Sequence, residues 1–187
     1  GEFTIISCSN MIPLKRINLI IDGLALLSKN IKVKWHHFGD GELRVALEEY
    51  AKKTILNSVD WCFHGHMKNE ELIKSYIELG AQLFISTSST EGGVPVSIME
   101  ASSIGIPTIA TAVGGIPEIV ISGETGILLD KDITGQNVKD AILSYYFLPE
   151  NIKKIYSSNT AKKWNSTFNA ETNAIEFERM LRILIDK

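Results

Sequence analysis

The sequence has no apolar run of the roughly 18–20 residues that a membrane-spanning helix needs, and no signal peptide precedes its first predicted strand. It also has no excess of basic residues, because 19 Lys and Arg against 22 Asp and Glu give a formal net charge of −3. Nucleic-acid-binding domains usually carry a basic field, so this balance argues against nucleic acid as a partner. We therefore predict a cytoplasmic protein that does not bind nucleic acid.

Cysteine is scarce, with two residues in the chain. Cys8 and Cys62 both fall in predicted strands. Free cysteines are among the most buried residues, and disulfides are rare in reducing compartments. We expect both residues to be buried free thiols.

Histidines near Cys62 raise the question of a metal site. Cys62, His64 and His66 alternate along a predicted strand, so they would share one face. Structural zinc normally has four protein ligands, and no fourth is evident here. We therefore predict no metal site, and no role is predicted for His36 and His37.

With 187 residues, the chain is long enough for one domain with a sizeable core. Short apolar segments alternate with segments whose apolar residues recur every three or four positions, which predicts parallel strands joined by helices. We predict a single Rossmann-like α/β domain over residues 4–187, with three α/β/α layers and a mainly parallel sheet of about six strands. Residues 1–3 (Gly1-Glu2-Phe3) are typical of an expression scar, so we expect an excised domain.

One stretch in the middle of the chain carries most of its chemistry. A buried strand predicted at Gln82–Ser86 leads into the loop Glu91–Gly93, and Pro95 suits the first position of the helix that follows. Such a loop is a ready anion site, because free N–H groups and the positive end of the helix dipole face one spot. Glu91 and Glu100 flank that spot, and carboxylates accept hydrogen bonds from sugar hydroxyls. This combination favours a sugar nucleotide as the ligand.

These residues resemble the retaining glycosyltransferases of family 4, the glycosyl transferases group 1, which have the GT-B architecture. The motifs that carry the resemblance are the pair Glu91 and Glu100, Pro107-Thr-Ile-Ala-Thr111, Gly114-Gly-Ile-Pro-Glu118-Ile and Gly123-Glu-Thr-Gly126-Ile-Leu-Leu129. The match is to the C-terminal, donor-binding half and covers nearly the whole chain after residue 3. The resemblance implies one half of a GT-B fold, with the N-terminal acceptor domain absent from this chain and no turnover by this half alone.

The resemblance also assigns the diphosphate site. In the family, an arginine just after the first strand and a lysine six positions later bind the donor diphosphate. Lys15 occupies the lysine position as a catalytic residue, whereas Ser9 stands at the arginine position and Arg16 is the candidate substitute. Backbone N–H groups near Val96 and Ser97 are expected to stabilise the same charge, so the resemblance implies neither a metal nor a cofactor.

The sugar and base positions follow from the same resemblance. Glu100 is expected to hold the ribose, and Glu91 is the second predicted catalytic residue, orienting the transferred sugar. The other residues that the resemblance assigns to donor binding are Gly65, His66, Met67, Gly92, Gly93 and Val94. The family has seven residues between the two glutamates and this chain has eight. Either the loop forms a one-residue bulge at Gly92–Gly93, or Glu91 is displaced from its usual role.

The function implied by the resemblance is hexosyl transfer, with retention at the anomeric carbon, from a nucleoside diphosphate sugar to an acceptor hydroxyl in glycan, polysaccharide or glycolipid synthesis. A glycan or lipid-linked acceptor would bind the absent N-terminal domain, and peripheral membrane association of the full-length enzyme is left open. Two other interpretations remain, a GT-B-like sugar-nucleotide epimerase and a non-catalytic Rossmann-like docking or regulatory domain. A docking domain would tolerate alanine at Lys15 and Glu100.

Overall fold

The computed structural model of the chain describes residues 2–56 and 59–185. Within these residues the strands are Phe3–Cys8 (β1), Val33–Phe38 (β2), Val59–Gly65 (β3), Leu83–Ser86 (β4), Thr108–Thr111 (β5) and Gly126–Leu129 (β6). The α-helices are Ile17–Ala25 (α1), Arg44–Thr54 (α2), Asn69–Glu78 (α3), Val96–Ser103 (α4), Ile116–Ile119 (α5), Gly135–Tyr146 (α6), Glu150–Thr167 (α7) and Ala170–Ile185 (α8). A short 3₁₀ helix at Pro13–Lys15 precedes α1.

The strands form one sheet in the order β3-β2-β1-β4-β5-β6, and each neighbouring pair is parallel. This is the strand order of the doubly wound Rossmann fold, in which the chain reverses its direction of growth between β1 and β4. Open sheets of this kind bind ligands outside the carboxyl ends of the strands at that switch point. The predicted α/β class with a six-stranded parallel sheet is confirmed.

Two apolar clusters cover the two faces of the sheet. One contains buried residues of α1, α2 and α6, and the other contains buried residues of α3, α4 and α5. In α1, Ile17, Ile20, Ile21 and Leu24 recur at helical spacing and are all buried. The helix begins only at Ile17, because residues 13–15 form the 3₁₀ turn and Arg16 has a left-handed backbone conformation with φ of 47°.

The prediction that both cysteines are buried is wrong for Cys62. β3 lies at the edge of the sheet, and its alternate residues Asp60, Cys62 and His64 are exposed. Cys8, on the central strand β1, is partly buried. The reason is the strand order, because an edge strand has a neighbour on one side and less helix cover than a central strand.

The last helix exposes apolar side chains. Ile175, Phe177, Met180 and Ile183 of α8 are each more than half exposed. No helix within residues 2–56 and 59–185 is both long and apolar enough to cross a membrane.

Candidate functional site

A cleft of about 360 Å³ opens at the carboxyl ends of the strands, beside the switch point. Its lining includes Cys8, Phe38 and Ser86, which are the last residues of β1, β2 and β4. The rest of its wall comes from the loops that follow these strands and β3, and from α3 and α4. The cleft therefore lies where the topology of the sheet places ligand sites.

Lys15 and Glu91 meet in this cleft. The Lys15 Nζ atom lies 2.5 Å from Glu91 Oε1, and the two side chains are only 21% and 13% exposed. The two residues come from different loops, Lys15 from the 3₁₀ turn after β1 and Glu91 from the loop after β4. The structure thus brings together the two residues that the sequence predicts to be catalytic.

Arg16 lies next to Lys15 in sequence but does not line the cleft. Its guanidinium donates to three backbone carbonyls, those of Thr87 at 2.7 Å, Ser88 at 3.0 Å and Lys131 at 2.9 Å. In return, the Thr87 hydroxyl donates to the carbonyls of Lys15 and Arg16. Arg16 therefore holds together the loops after β1, β4 and β6, and the left-handed conformation of its backbone points its side chain away from that of Lys15.

The double-glycine turn after β5 supports the Glu91 loop. Gly114 has φ of 54°, and a Cβ atom on it would lie 2.3 Å from the Glu91 carbonyl oxygen. Gly115 donates its N–H to the Gly93 carbonyl at 3.1 Å, and a Cβ atom there would lie 2.6 Å from the Val94 nitrogen. Only glycine permits this approach, so the turn fixes the backbone from which Glu91 extends.

Glu100 lies on α4 and contributes a carboxylate to the cleft. Its Oε1 atom is buried and has no hydrogen-bond partner in the part of the chain that the structure describes. Burial raises the pKa of this carboxyl group. A buried acceptor without a donor is costly unless something supplies one, so this atom suits a ligand hydroxyl.

The start of α4 also faces the cleft, through Pro95, Val96 and Ser97. Pro95 is the N-cap and not the first helical residue, and no side chain caps this helix among the described residues. The first N–H groups of a helix have no partner within it. They offer an anion site near Lys15, with a helix dipole that favours negative charge.

The Cys8 thiol also lines the cleft, and the fully buried Tyr76 lies close to Cys8 and Glu100. Burial raises the pKa of Cys8, while the neighbouring Tyr76 lowers that pKa and the charge of Glu100 raises it. Burial also raises the pKa of Tyr76. Both groups are therefore neutral at pH 7 and neither is an activated nucleophile.

The cleft gathers part of the predicted set. The predicted site residues that line it are Lys15, His66, Met67, Glu91, Val96, Ser97 and Glu100. Those that do not line it are Arg16, Gly65, Gly92, Gly93 and Val94. Gly92 and Gly93 are exposed in the loop after Glu91, and a Cβ atom on either would meet no heavy atom within 4 Å.

Several residues that line the cleft were not predicted from the sequence. Asn10 follows β1, Gly39 follows β2, and Asn69 is the first residue of α3, after β3. Each lies just beyond the carboxyl end of a parallel strand, so the rule that ligands bind at this edge could have identified them. Ser9, noted only as a departure from the family pattern, also lines the cleft.

The expectation about histidines needs correction. His66 lines the cleft and is separate from Cys62 and His64. The third residue of that group is His36 on β2, because the β2–β3 register places His36 opposite Cys62. His37, for which no role was predicted, is fully buried.

The comparisons with known proteins agree with this geometry. A sequence profile described as Glycosyl transferases group 1 matches residues 1–163, and the chain belongs to this family. An uncharacterized glycosyltransferase of Methanocaldococcus jannaschii is 27% identical over 175 residues, which is 94% of this chain and 46% of that protein. The chain thus spans about half the length of this relative.

Solved structures of glycosyltransferases show the same fold. Sucrose-phosphate synthase from Thermosynechococcus elongatus superposes with a TM-score of 0.82 at 22% identity, over the whole of this chain and 46% of that one. Anabaena Alr3699/HepE, solved in complex with UDP-glucose, has a TM-score of 0.77 at 23% identity and covers 97% of this chain and 49% of its own. The chain is a glycosyltransferase domain with a Rossmann-like fold.

Proposed function

We propose that this domain is the C-terminal, donor-binding half of a retaining family 4 glycosyltransferase that uses a nucleoside diphosphate sugar. The observation that carries the proposal is one cleft in which a lysine, a helix N-terminus and a buried carboxylate oxygen converge, and that oxygen has no hydrogen-bond partner among the described residues. A cation and free N–H groups suit a diphosphate, and a carboxylate acceptor suits a sugar hydroxyl. These are the recognition elements of a sugar nucleotide.

In this proposal the diphosphate lies between Lys15 and the N-terminus of α4. The leaving nucleoside diphosphate gains negative charge as the glycosidic bond breaks. Lys15 and the N–H groups of Val96 and Ser97 stabilise that charge without a metal ion or other cofactor. Arg16 acts indirectly, because its hydrogen bonds to the Thr87 and Ser88 carbonyls hold the loop that carries Lys15.

The remaining groups of the donor follow from this placement. Glu100 accepts hydrogen bonds from the ribose, so its Oε1 atom, which has no partner within residues 2–56 and 59–185, gains a donor when the ligand binds. Glu91 orients the transferred sugar with help from the loop Gly92–Val94. His66 and Met67, which follow Gly65 at the end of β3, contact the nucleobase.

The structural neighbours support a sugar nucleotide as the donor, since Anabaena Alr3699/HepE was solved in complex with UDP-glucose. The chain covers about half of these neighbours. We infer that the other half binds the acceptor, a glycan or lipid-linked molecule, and completes the active site. The isolated domain then binds donor weakly and transfers no sugar, and the full-length enzyme acts in the cytoplasm, at the membrane face if its acceptor is lipid-linked.

Ligand-detected NMR of the domain with UDP, GDP and ADP, each with and without an attached sugar, tests the proposal. We expect one diphosphate to bind selectively and a metal chelator to leave its binding unchanged. Glu100→Ala should weaken binding by at least about tenfold, because a hydrogen bond to a charged group contributes about 1.5–3 kcal/mol. The matched control is Glu118→Ala, since Glu118 is an exposed carboxylate on α5 that does not line the cleft.

The contrary result is binding that persists unchanged in Glu100→Ala. It would remove the ribose assignment and favour a domain whose donor site is idle, such as a docking domain. Equal losses in Glu100→Ala and Glu118→Ala would show a general effect on folding and not a loss of specific contacts.

A further inference from the structure

Outside the cleft, three metal-ligating side chains converge on the exposed face of β2 and β3. His36 on β2 lies directly opposite Cys62 on β3 in the parallel ladder. His64 follows Cys62 by two residues, so it projects from the same face of the strand. One ligand atom from each residue lies within 4.8 Å of the other two.

The two imidazole rings already share a short contact. His36 Nδ1 lies 2.8 Å from His64 Nε2, and the rings are stacked with their centroids 5.1 Å apart. Without an ion, one ring must carry the proton that the other accepts. A metal ion that binds both nitrogens replaces that shared proton.

The spacing is close to that of a metal site. Tetrahedral zinc with Zn–N of about 2.0 Å and Zn–S of about 2.3 Å holds its ligand atoms roughly 3.3–3.6 Å apart. The two nitrogens need to separate by about half an ångström to reach this spacing. The Cys62 sulfur lies within 4.8 Å of a ligand atom of each histidine and belongs to an exposed residue, so its side chain is free to approach the ion.

We propose that His36, Cys62 and His64 bind a zinc ion at the edge of the sheet, with water in the fourth position. Two imidazoles and a thiolate are ligands that zinc favours over magnesium or calcium, which prefer oxygen. The absence of a fourth protein ligand, which argued against zinc in the sequence, does not exclude it, because zinc sites with three protein ligands and water in the fourth position are known. The ion joins the edge strand β3 to β2, and it is independent of the donor chemistry proposed for the cleft.

The site also has a rigid support. The His64 ring stacks on the Phe38 ring with centroids 4.5 Å apart and an angle of 9° between the planes. Phe38 itself is buried at 1% exposure. His64 is therefore held in place by the core before the ion arrives, which reduces the ordering that binding requires.

The test is a titration of the chelator-treated, reduced domain with Zn²⁺ and with Co²⁺. We expect one zinc ion per chain, a thiolate-to-cobalt charge-transfer band, and a higher thermal midpoint with zinc present. X-ray absorption of the zinc form should show one sulfur at about 2.3 Å and two imidazole nitrogens at about 2.0 Å. Cys62→Ser and His36→Gln should each weaken binding by more than the ~10–100-fold typical of losing an outer-shell partner.

Two control variants separate this site from other ligand sets. Cys8→Ser removes the other thiol of the chain, and His66→Gln removes the histidine that the strand spacing alone would have chosen. Both should bind zinc as the wild type does. Binding that is lost in His66→Gln but retained in His36→Gln would overturn the assignment, and so would a cobalt form without the thiolate band.

Discussion

At the scale of single residues, the ion pair between Lys15 and Glu91 dominates the proposed donor site. The pair is largely shielded from water, with side-chain exposures of 21% and 13%. Glu91 therefore neutralises Lys15, which is the cation that the proposed diphosphate would bind. A bound donor must draw Lys15 away from this carboxylate. The hydroxyls of the attached sugar must then donate hydrogen bonds to Glu91 in place of Lys15.

Substituting Glu91→Gln separates these two effects. The variant removes a competing negative charge but keeps the size of the side chain. The free nucleoside diphosphate should bind about threefold to tenfold more tightly, since breaking a partly exposed ion pair costs about 1 kcal/mol. The additional affinity that the attached sugar provides should fall. Calorimetric titration of the diphosphate and of its sugar conjugate measures both quantities.

Lys15→Ala is the companion variant, and it should weaken the diphosphate and its sugar conjugate alike. If Glu91→Gln instead weakens both ligands to the same degree, then Glu91 does not compete for Lys15. In that case its contact with Lys15 has only a structural role.

The sequence predicts the site residues unevenly, and the reasons are local. Lys15 and Glu100 could be placed because their motifs fix them relative to strand and helix ends. Arg16 could not, because its direction depends on a left-handed backbone conformation that few non-glycine residues adopt. His36 could not be grouped with Cys62, because that contact depends on the register between two strands.

At the scale of elements, the turn after β5 and the loop after β4 form one unit. Gly114 and Gly115 approach the backbone of residues 91–94 more closely than any side chain would allow. This contact explains why a Gly-Gly pair far from the glutamate motif in sequence belongs to the same site. It also holds the backbone of the Glu91 loop on both sides of Gly92.

Gly115→Ala should therefore displace the backbone of the Glu91 loop, although Gly115 does not contact the Glu91 side chain that the proposal uses. Its Cβ atom would lie 2.6 Å from the Val94 nitrogen and 2.7 Å from the Gly93 carbonyl carbon, so the loop backbone must move. We expect a loss of about 1–3 kcal/mol in the free energy of unfolding, as for other overpacked positions. Urea denaturation measures this loss, and donor titration should show weaker binding.

The matched control is Gly92→Ala in the same loop, where the added Cβ atom meets nothing within 4 Å. It should leave the free energy of unfolding nearly unchanged. A Gly92→Ala variant as unstable as Gly115→Ala would mean that loop flexibility, and not the close approach, determines stability.

The strands themselves were predictable from their apolar runs, but their order was not. Cys62 illustrates the consequence, since a thiol in an apolar strand is usually buried and this one lies on an edge strand. Strand order follows from long-range pairing, which local spacing does not encode.

At the scale of the whole molecule, a buried polar chain links the neighbouring strands β1 and β2. Trp35 Nε1 donates to the Ser7 hydroxyl at 2.9 Å, and that hydroxyl lies 2.8 Å from His37 Nδ1. His37 Nε2 donates a hydrogen bond to the Ser9 carbonyl oxygen at 3.2 Å. Burial lowers the pKa of His37 from 6.5 to about 4, with smaller contributions from the charges of Arg44 and His64.

This depressed pKa makes stability depend on pH. His37 is neutral in the folded state and takes up a proton in the unfolded state below pH 6.5, so the unfolded state binds more protons there. Its contribution is complete above pH 6.5 and is lost as the pH falls towards about 4. The loss is roughly 3 kcal/mol over this window. Denaturant titrations at pH 7, 6, 5 and 4 measure it.

His37→Gln should remove most of this pH slope, whereas the exposed His66→Gln should retain it. His36 and His64 also have a lowered pKa through burial and add to the slope in the same direction. The difference between the two variants isolates the contribution of His37. An unchanged slope in His37→Gln would show that His37 is not the titrating group.

The central claim is that the cleft at the switch point binds the donor. The most direct measurement is amide NMR mapping of the domain titrated with a nucleoside diphosphate sugar such as UDP-glucose. The account predicts saturable shifts at Ser9, Lys15, Glu91, Val96 and Ser97, all greatly reduced in Lys15→Ala. Shifts that cluster away from the cleft, or cleft shifts that persist in Lys15→Ala, would contradict it.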